Sequence, residues 1–210
     1  MAPVAGRPFL AWLLDYLATQ GIRRAILSVG YKHEAISAYF GRSHGGIELL
    51  YCIEATPLGT GGAIRESMRQ VQGGSAFVLN GDTMANVDYP AMYARHSEPG
   101  AGFSMALGAV TDASRYGLVE VVNGRVSTFR EKSAGGKGLI NLGVYLAKTD
   151  IFSGYDLPER FSFEQDFMNP QLARLAPVAF VTEGYFIDIG VPEDFQRAQT
   201  ELPERFARGG

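Results

Sequence analysis

The chain has 210 residues, 46% of them hydrophobic and 20% charged, which is enough to bury one full core and sits within the usual size of one domain. A formal charge of -3 provides no general attraction for nucleic acid or an anionic membrane, so any phosphate ligand must be held by local groups and the expected partner is a small molecule. No apolar run approaches the roughly 18 residues that span a bilayer, no secretory signal opens the chain, and the single Cys52 excludes an internal disulfide; the expectation is a soluble, cytoplasmic protein.

In chain order, residues 7–20 place Phe9, Leu10, Leu13, Leu14 and Leu17 at helical spacing before Gly21, and the apolar run Ala25 to Val29 then reads as a buried strand. The alternation continues with a helix at 33–40, a strand at 47–53, a helix at about 61–71, a strand at 76–80 and a helix at about 88–96. Such alternation predicts an α/β fold with a Rossmann-like, mainly parallel sheet flanked by helices. From residue 102 consecutive strands take over, and Asn123-Gly124 between two apolar runs signals a hairpin. A strand at about 139–147, a helix at about 163–175, short strands at 178–182 and 185–189, and a helix from about 192 complete the reading. The expectation is one domain over 1–210, with an alternating half to about residue 100 and a mixed half after it.

Several places bear chemistry. Pro57-Leu58-Gly59-Thr60-Gly61-Gly62 joins a strand to a helix, where glycines admit a close ligand and the helix N-terminus offers N–H groups; a tight turn is the plain alternative. Glu54 just upstream has the two acceptors that suit the N1–H and N2–H edge of guanine, or is an exposed strand-end carboxylate. Asp82, in Asn80-Gly81-Asp82, follows a strand at the end where α/β folds bind ligands, and Asp188 is set between Ile187 and Ile189. A charge among apolar residues needs a partner, and an Mg²⁺ shared by Asp82 and Asp188 would supply one. Arg115-Tyr116-Gly117, Arg130-Glu131-Lys132 and Asn141-Leu142-Gly143 fall at strands of the second half, as phosphate and sugar contacts or as solvated strand ends. Ser162 suits an N-cap and Glu164 a first helical turn. His33, His44 and His96 have no metal-ligand spacing, and no G-x-S-x-G or G-x-G-x-x-G motif occurs.

The order PLGTGGAI, NGD, RYGLV, FREK, INLGVYL, FIDIGVPEDF resembles the nucleotidyltransferases that make nucleoside-diphosphate sugars, most closely the D-glycero-D-manno-heptose 1-phosphate guanylyltransferases. The resemblance implies transfer of a nucleotidyl group, guanylyl from GTP, to a heptose- or mannose-type sugar 1-phosphate, with Mg²⁺ and release of pyrophosphate, for cell-surface glycan synthesis such as lipopolysaccharide or capsule. It implies Asp82 and Asp188 as metal ligands, Lys132 beside them in catalysis, and Glu54, Leu58, Gly59, Thr60 and Gly81 on the nucleotide side. Tyr116, Gly117, Glu131, Lys132, Asn141, Gly143 and Glu164 fall on the sugar-phosphate side, and the resemblance makes about 1–100 the nucleotide-binding half and about 101–210 the sugar-phosphate-binding half. Other base specificities, a non-catalytic binding role and a homo-oligomer stay open.

The sequence departs from the family pattern in one respect: it opens on a helix, without the strand, G-x-G-T-R-L loop and Pro-Lys pair that precede the segment matching residues 1–8. The expectation is that Met1 is an internal methionine of a longer protein rather than the start of a shortened relative. The activity of the 210-residue form is in question for the same reason.

Overall fold

The computed structural model describes residues 1–113, 115–130 and 136–206. β1 (Pro3–Val4) and β2 (Arg7–Pro8) form a small hairpin that leads into α1 (Phe9–Thr19). The helix buries Phe9, Trp12, Leu13, Leu14, Tyr16 and Leu17, the stripe set by the apolar spacing. β3 (Arg24–Val29), α2 (His33–Phe40), β4 (Ser43–His44) and β5 (Ile47–Ile53) follow, then α3 (Gly59–Met68), β6 (Ser75–Leu79), β7 (Thr83–Ala85) and α4 (Tyr89–His96). α4 starts where Asp88 accepts a hydrogen bond from Ala91 N at 2.9 Å, with Pro90 in its first turn.

The second half contributes β8 (Phe103–Val110), β9 (Leu118–Val122), β10 (Arg125–Arg130) and β11 (Gly138–Lys148), then a π-helical turn (Phe163–Met168), α5 (Leu172–Leu175), β12 (Val178–Thr182), β13 (Phe186–Asp188) and α6 (Pro192–Phe206). Asn123 and Gly124, both at positive φ (51° and 74°), close the β9–β10 hairpin, with Val122 paired to Arg125.

The strands form a six-stranded sheet in the order β6-β11-β8-β12-β10-β9, a three-stranded sheet β3-β5-β4, and the pairs β1–β2 and β7–β13. The α/β class with a mixed sheet is as expected, but parallel pairing is scarcer: among the described residues it joins β3 to β5 and β8 to β12, and the remaining ladders are antiparallel. β11 accounts for much of this, because its 11 residues run antiparallel to β6, β8 and β9. β3 and β6 each end a sheet, and their apolar residues Ile26, Leu27, Phe77, Val78 and Leu79 are half-buried.

The six-stranded sheet is covered on both faces. Along β11, Ile140, Leu142, Val144 and Leu146 pack towards α1, α4 and α6, while Tyr145 and Ala147 pack with Phe103, Phe161, Phe163 and Phe167 on the other face. The helix expected at 163–175 is interrupted: Pro170 has no N–H to continue it, and the segment divides into the π-helical turn and the four-residue α5.

Candidate functional site

β6 delivers Asn80, Gly81 and Asp82, and the chain turns at once into β7. Antiparallel pairing of β7 with β13 sets Asp188 opposite Thr83, and Ile189 N donates to Asp82 O at 2.9 Å. Two residues 106 positions apart thereby become neighbours. Their side chains converge on Gly190: a β-carbon placed there would lie 3.0 Å from Asp188 Oδ1 and 3.7 Å from Asp82 Oδ2. Desolvation by the surrounding protein, and then the Asp188 charge, push the Asp82 pKa up from the ordinary carboxylate value. Two acidic groups that repel across a shared space fit a divalent cation, with substrate phosphates and water completing its oxygen shell. Among the described residues no group of three or more His, Cys, Asp or Glu side chains gathers to hold a metal.

The glycine-rich loop is held from inside. Glu54 Oε1 accepts from Ser28 Oγ at 3.0 Å and Oε2 accepts from Leu58 N at 2.9 Å, so this carboxylate folds the loop that follows it. Gly61 N donates to Phe161 O at 2.9 Å, and Phe163 N donates to Thr60 Oγ1 at 2.8 Å. Of the N–H groups at this loop and helix start, those of Leu58 and Gly61 are thus engaged within the protein. Two of the glycines also have a packing role, because a β-carbon would lie 2.1 Å from the Phe161 ring at Gly61 and 2.6 Å from Glu159 O at Gly62. Gly59 also needs its left-handed backbone, at φ +69°.

β11 bulges between Asn141, which pairs with Leu107, and Tyr145, which pairs with Met105. Gly143 occupies the bulge at φ +66°; its N donates to Asn141 Oδ1 at 3.0 Å and its O accepts from Asn80 N at 3.0 Å. The bulge sets three polar groups together: Asn141 Nδ2 donates to Tyr145 Oη at 2.7 Å and to Glu164 Oε1 at 3.2 Å, and Tyr145 Oη donates to Glu164 Oε1 at 2.5 Å. Ser162 is the expected cap, accepting from Gln165 N at 3.2 Å, and so places Glu164 in the first turn. Tyr145 is the residue that sequence reasoning missed. The available signal was a hydroxyl inside an apolar strand, which needs a partner when buried.

Tyr116 packs edge-on against Phe186 of β13, ring centroids 5.7 Å apart, which brings the β8–β9 connection beside Asp188. Gly117 and Gly81 are exposed. Glu131 and Lys132 lie outside the described residues. The structure therefore gathers the carboxylate pair, the glycine-rich loop and the Asn141–Tyr145–Glu164 group through the Asn80–Gly143, Thr60–Phe163 and Tyr116–Phe186 contacts. A separate cavity of about 270 Å³, lined by Ser75, Tyr93, His96 and Lys148, lies at the opposite end of β6 from Asp82.

An α/β sheet with a carboxylate pair just past the end of β6 is an arrangement found in nucleotidyltransferases; the family described as Nucleotidyl transferase matches residues 1–205, and the chain belongs to it. It is 44% identical over 202 residues to the D-glycero-alpha-D-manno-heptose 1-phosphate guanylyltransferase of Aneurinibacillus thermoaerophilus, covering 96% of this chain and 88% of that one. To the protein of the same name from Campylobacter jejuni it is 43% identical, covering 93% and 86%. Among solved structures it resembles HddC from Yersinia pseudotuberculosis, also solved in complex with GMP-PN, with a TM-score of 0.86, 34% identity, and coverage of 96% and 88%.

Proposed function

We propose that the chain transfers a guanylyl group from GTP to a heptose- or mannose-type sugar 1-phosphate, giving a GDP-sugar and pyrophosphate. The observation that carries this reading is the convergence of Asp82 and Asp188 on Gly190, beside a strand that presents Asn141 and holds Glu164. The two guanylyltransferase relatives and the HddC complex supply the nucleotide and the acceptor class.

In this reading a phosphate oxygen of the sugar 1-phosphate forms a bond to the α-phosphorus of GTP as the bond from that phosphorus to the pyrophosphate oxygen breaks. Asp82 and Asp188 would hold Mg²⁺, which neutralises charge on the triphosphate when bound. Glu54, Leu58, Gly59, Thr60 and Gly81 line the nucleotide side. Tyr116, Gly117, Asn141, Gly143 and Glu164 are assigned to the sugar side, and the family resemblance adds Glu131 for the sugar and Lys132 for a phosphate. Most of the acceleration then comes from alignment and charge neutralisation. We place the reaction in the cytoplasm, in the supply of activated sugar for lipopolysaccharide or capsule, by a homo-oligomer whose state light scattering would read. No helix of the described residues is long and apolar enough to cross a membrane.

The test is pyrophosphate release with GTP, ATP, UTP, CTP and dTTP in turn, each with heptose 1-phosphate and mannose 1-phosphate. Turnover restricted to GTP supports the reading. Binding of GDP-sugar without turnover for any pair would replace it by a non-catalytic role.

A further inference from the structure

Asp194 lies in the first turn of α6, and its side chain is 1% exposed. A carboxylate this deeply buried needs charged partners. Arg197, one turn further along α6, approaches Asp194 Oδ1 at 2.7 Å and also binds both oxygens of Glu201. The second partner is not local: Arg115 reaches in from the β8–β9 connection, 79 residues away in sequence, with its terminal nitrogens 3.1 and 3.5 Å from the two Asp194 oxygens.

Arg115 is followed directly by Tyr116 and Gly117. The Arg115 guanidinium stands 5.8 Å from the Tyr116 ring, and Tyr116 N donates to Ala113 O at 2.9 Å. Among the described residues Tyr116 and Gly117 lie outside both β8 and β9, and the side chains of Arg115 and Tyr116 tie this segment to α6 and β13. α6 itself begins four residues after Asp188, at Pro192. One helix start therefore anchors both the metal-side carboxylate and, through a buried ion pair, the sugar-side loop.

We infer that Asp194 is a positioning residue, which through Arg115 fixes Tyr116 and Gly117 against Phe186 so that the sugar-phosphate side of the site is formed before substrate arrives. The inference rests on the proposed sugar-phosphate role of Tyr116 and Gly117. When the tie is cut, the loop samples other positions, and affinity for a ligand that needs the fixed one falls in proportion to the fraction of time it is lost.

The experiment compares the wild-type chain with Asp194→Asn, Arg115→Ala, Arg115→Lys and the double variant Asp194→Asn/Arg115→Ala. Arg115→Ala truncates a side chain that is 42% exposed and leaves Asp194 paired with Arg197, so this variant folds even where Asp194→Asn does not. Hydrogen exchange at the Tyr116 and Gly117 amides is expected to rise about tenfold in Arg115→Ala while the β7 and β13 amides stay protected. The KM for sugar 1-phosphate should rise about tenfold, with the KM for GTP and kcat within about twofold of wild type. Arg115→Lys should fall between wild type and Arg115→Ala, and the double variant should be no worse than Asp194→Asn alone. Unchanged exchange at Tyr116 and Gly117 in Arg115→Ala would overturn the inference, as would raised exchange with unaltered KM for sugar 1-phosphate. Raised exchange in Arg115→Ala, alongside a wild-type chain that turns over no sugar 1-phosphate, would keep the tie and reject the proposed function.

Discussion

The Tyr145 hydroxyl donates a 2.5 Å hydrogen bond to Glu164 Oε1 while itself accepting one of 2.7 Å from Asn141 Nδ2. Burial, and then the Glu164 charge, push the Tyr145 pKa well above the ordinary phenol value, so the hydroxyl stays protonated and the direction of donation is fixed. Tyr145→Phe keeps the ring that stacks on Phe103 and meets Phe163 edge-on, and removes only the hydroxyl. A hydrogen bond to a charged acceptor is worth about 1.5–3 kcal/mol, and urea unfolding should register a loss near the lower end because Asn141 still serves Glu164. The KM for sugar 1-phosphate should rise while that for GTP holds. Equal changes in both constants would place Tyr145 in general packing.

Asp82 and Asp188 lead to an opposite pattern. The Asp82 pKa is raised in the folded protein, by desolvation first and by Asp188 second, so ionised Asp82 opposes folding at neutral pH. The sign is that of a carboxyl whose contribution is most favourable at low pH and declines as pH rises through the ordinary carboxylate value. Asp82→Asn should therefore leave the metal-free Tm unchanged or higher, while calorimetric titration with Mn²⁺ and GTP loses its metal-dependent heat and turnover falls by about 10² or more. A variant that binds Mn²⁺ as wild type does would remove Asp82 from the metal site.

Which parts of this site were legible in the sequence follows from how local each feature is. The α1 stripe, the Asn123-Gly124 hairpin, Asp82 at the end of β6 and the Ser162 cap are set by neighbouring residues, and they appear where the pattern places them. The pairing that brings Asp82 to Asp188 depends on β7, whose three residues are too short for periodicity to reveal. Tyr145 was hidden for a related reason: in a plain strand an apolar run absorbs it, and only the bulge at Gly143 turns it and Asn141 onto one carboxylate. The glycines of the 57–62 loop were visible as glycines, but their contact with Phe161 and Glu159 spans about a hundred residues and has no local signature.

That contact can be tested directly by comparing two glycines. At Gly61 an added methyl meets the Phe161 ring at 2.1 Å, and Phe161 is itself buried, so the ring must move within packed surroundings. Gly61→Ala should lower stability by about 1–3 kcal/mol, the usual cost of overpacking. At Gly81 nothing lies within 4 Å of the added carbon, and Gly81→Ala should leave the unfolding midpoint within experimental error. Equal Tm values for the two variants would mean that the 158–163 segment does not pack on α3 in solution.

His96 supplies a pH dependence remote from the proposed site. Its Nδ1 lies 2.8 Å from Ser104 Oγ and its Nε2 3.3 Å from Ser75 Oγ, and Lys148 and Glu98 line the adjoining cavity. Burial, and then the Lys148 charge, lower its pKa, so the folded state binds its proton less readily than the unfolded state does. Stability from neutral His96 is fully present above the unfolded value of about 6.5 and is lost as pH falls from there towards the lowered folded value. Urea midpoints measured down to about pH 5 should fall less steeply in His96→Gln than in wild type. Parallel slopes would show that His96 does not contribute.

Glu54 folds the loop that follows it, and one substitution separates that role from the proposed reading of guanine. Both of its oxygens already accept a hydrogen bond, from Ser28 Oγ and from Leu58 N, yet each retains a second lone-pair direction that a guanine N–H can use. In Glu54→Gln the remaining carbonyl oxygen can keep the Leu58 N–H, and the new amide can donate to the Ser28 hydroxyl, which accepts as readily as it donates. The loop fold, and with it the Tm, should be retained. Towards the base the change is severe, because one guanine donor then faces an amide donor instead of an acceptor. If Glu54 reads guanine, the ratio of kcat/KM for GTP to that for ATP should fall by the equivalent of about 1–3 kcal/mol. If Glu54 serves only to fold the loop, the ratio should hold while Glu54→Ala, which leaves Leu58 N and Ser28 without their acceptors, lowers the Tm and weakens all triphosphates alike. Retained GTP preference in Glu54→Gln would thus assign base selection to a different residue of the site.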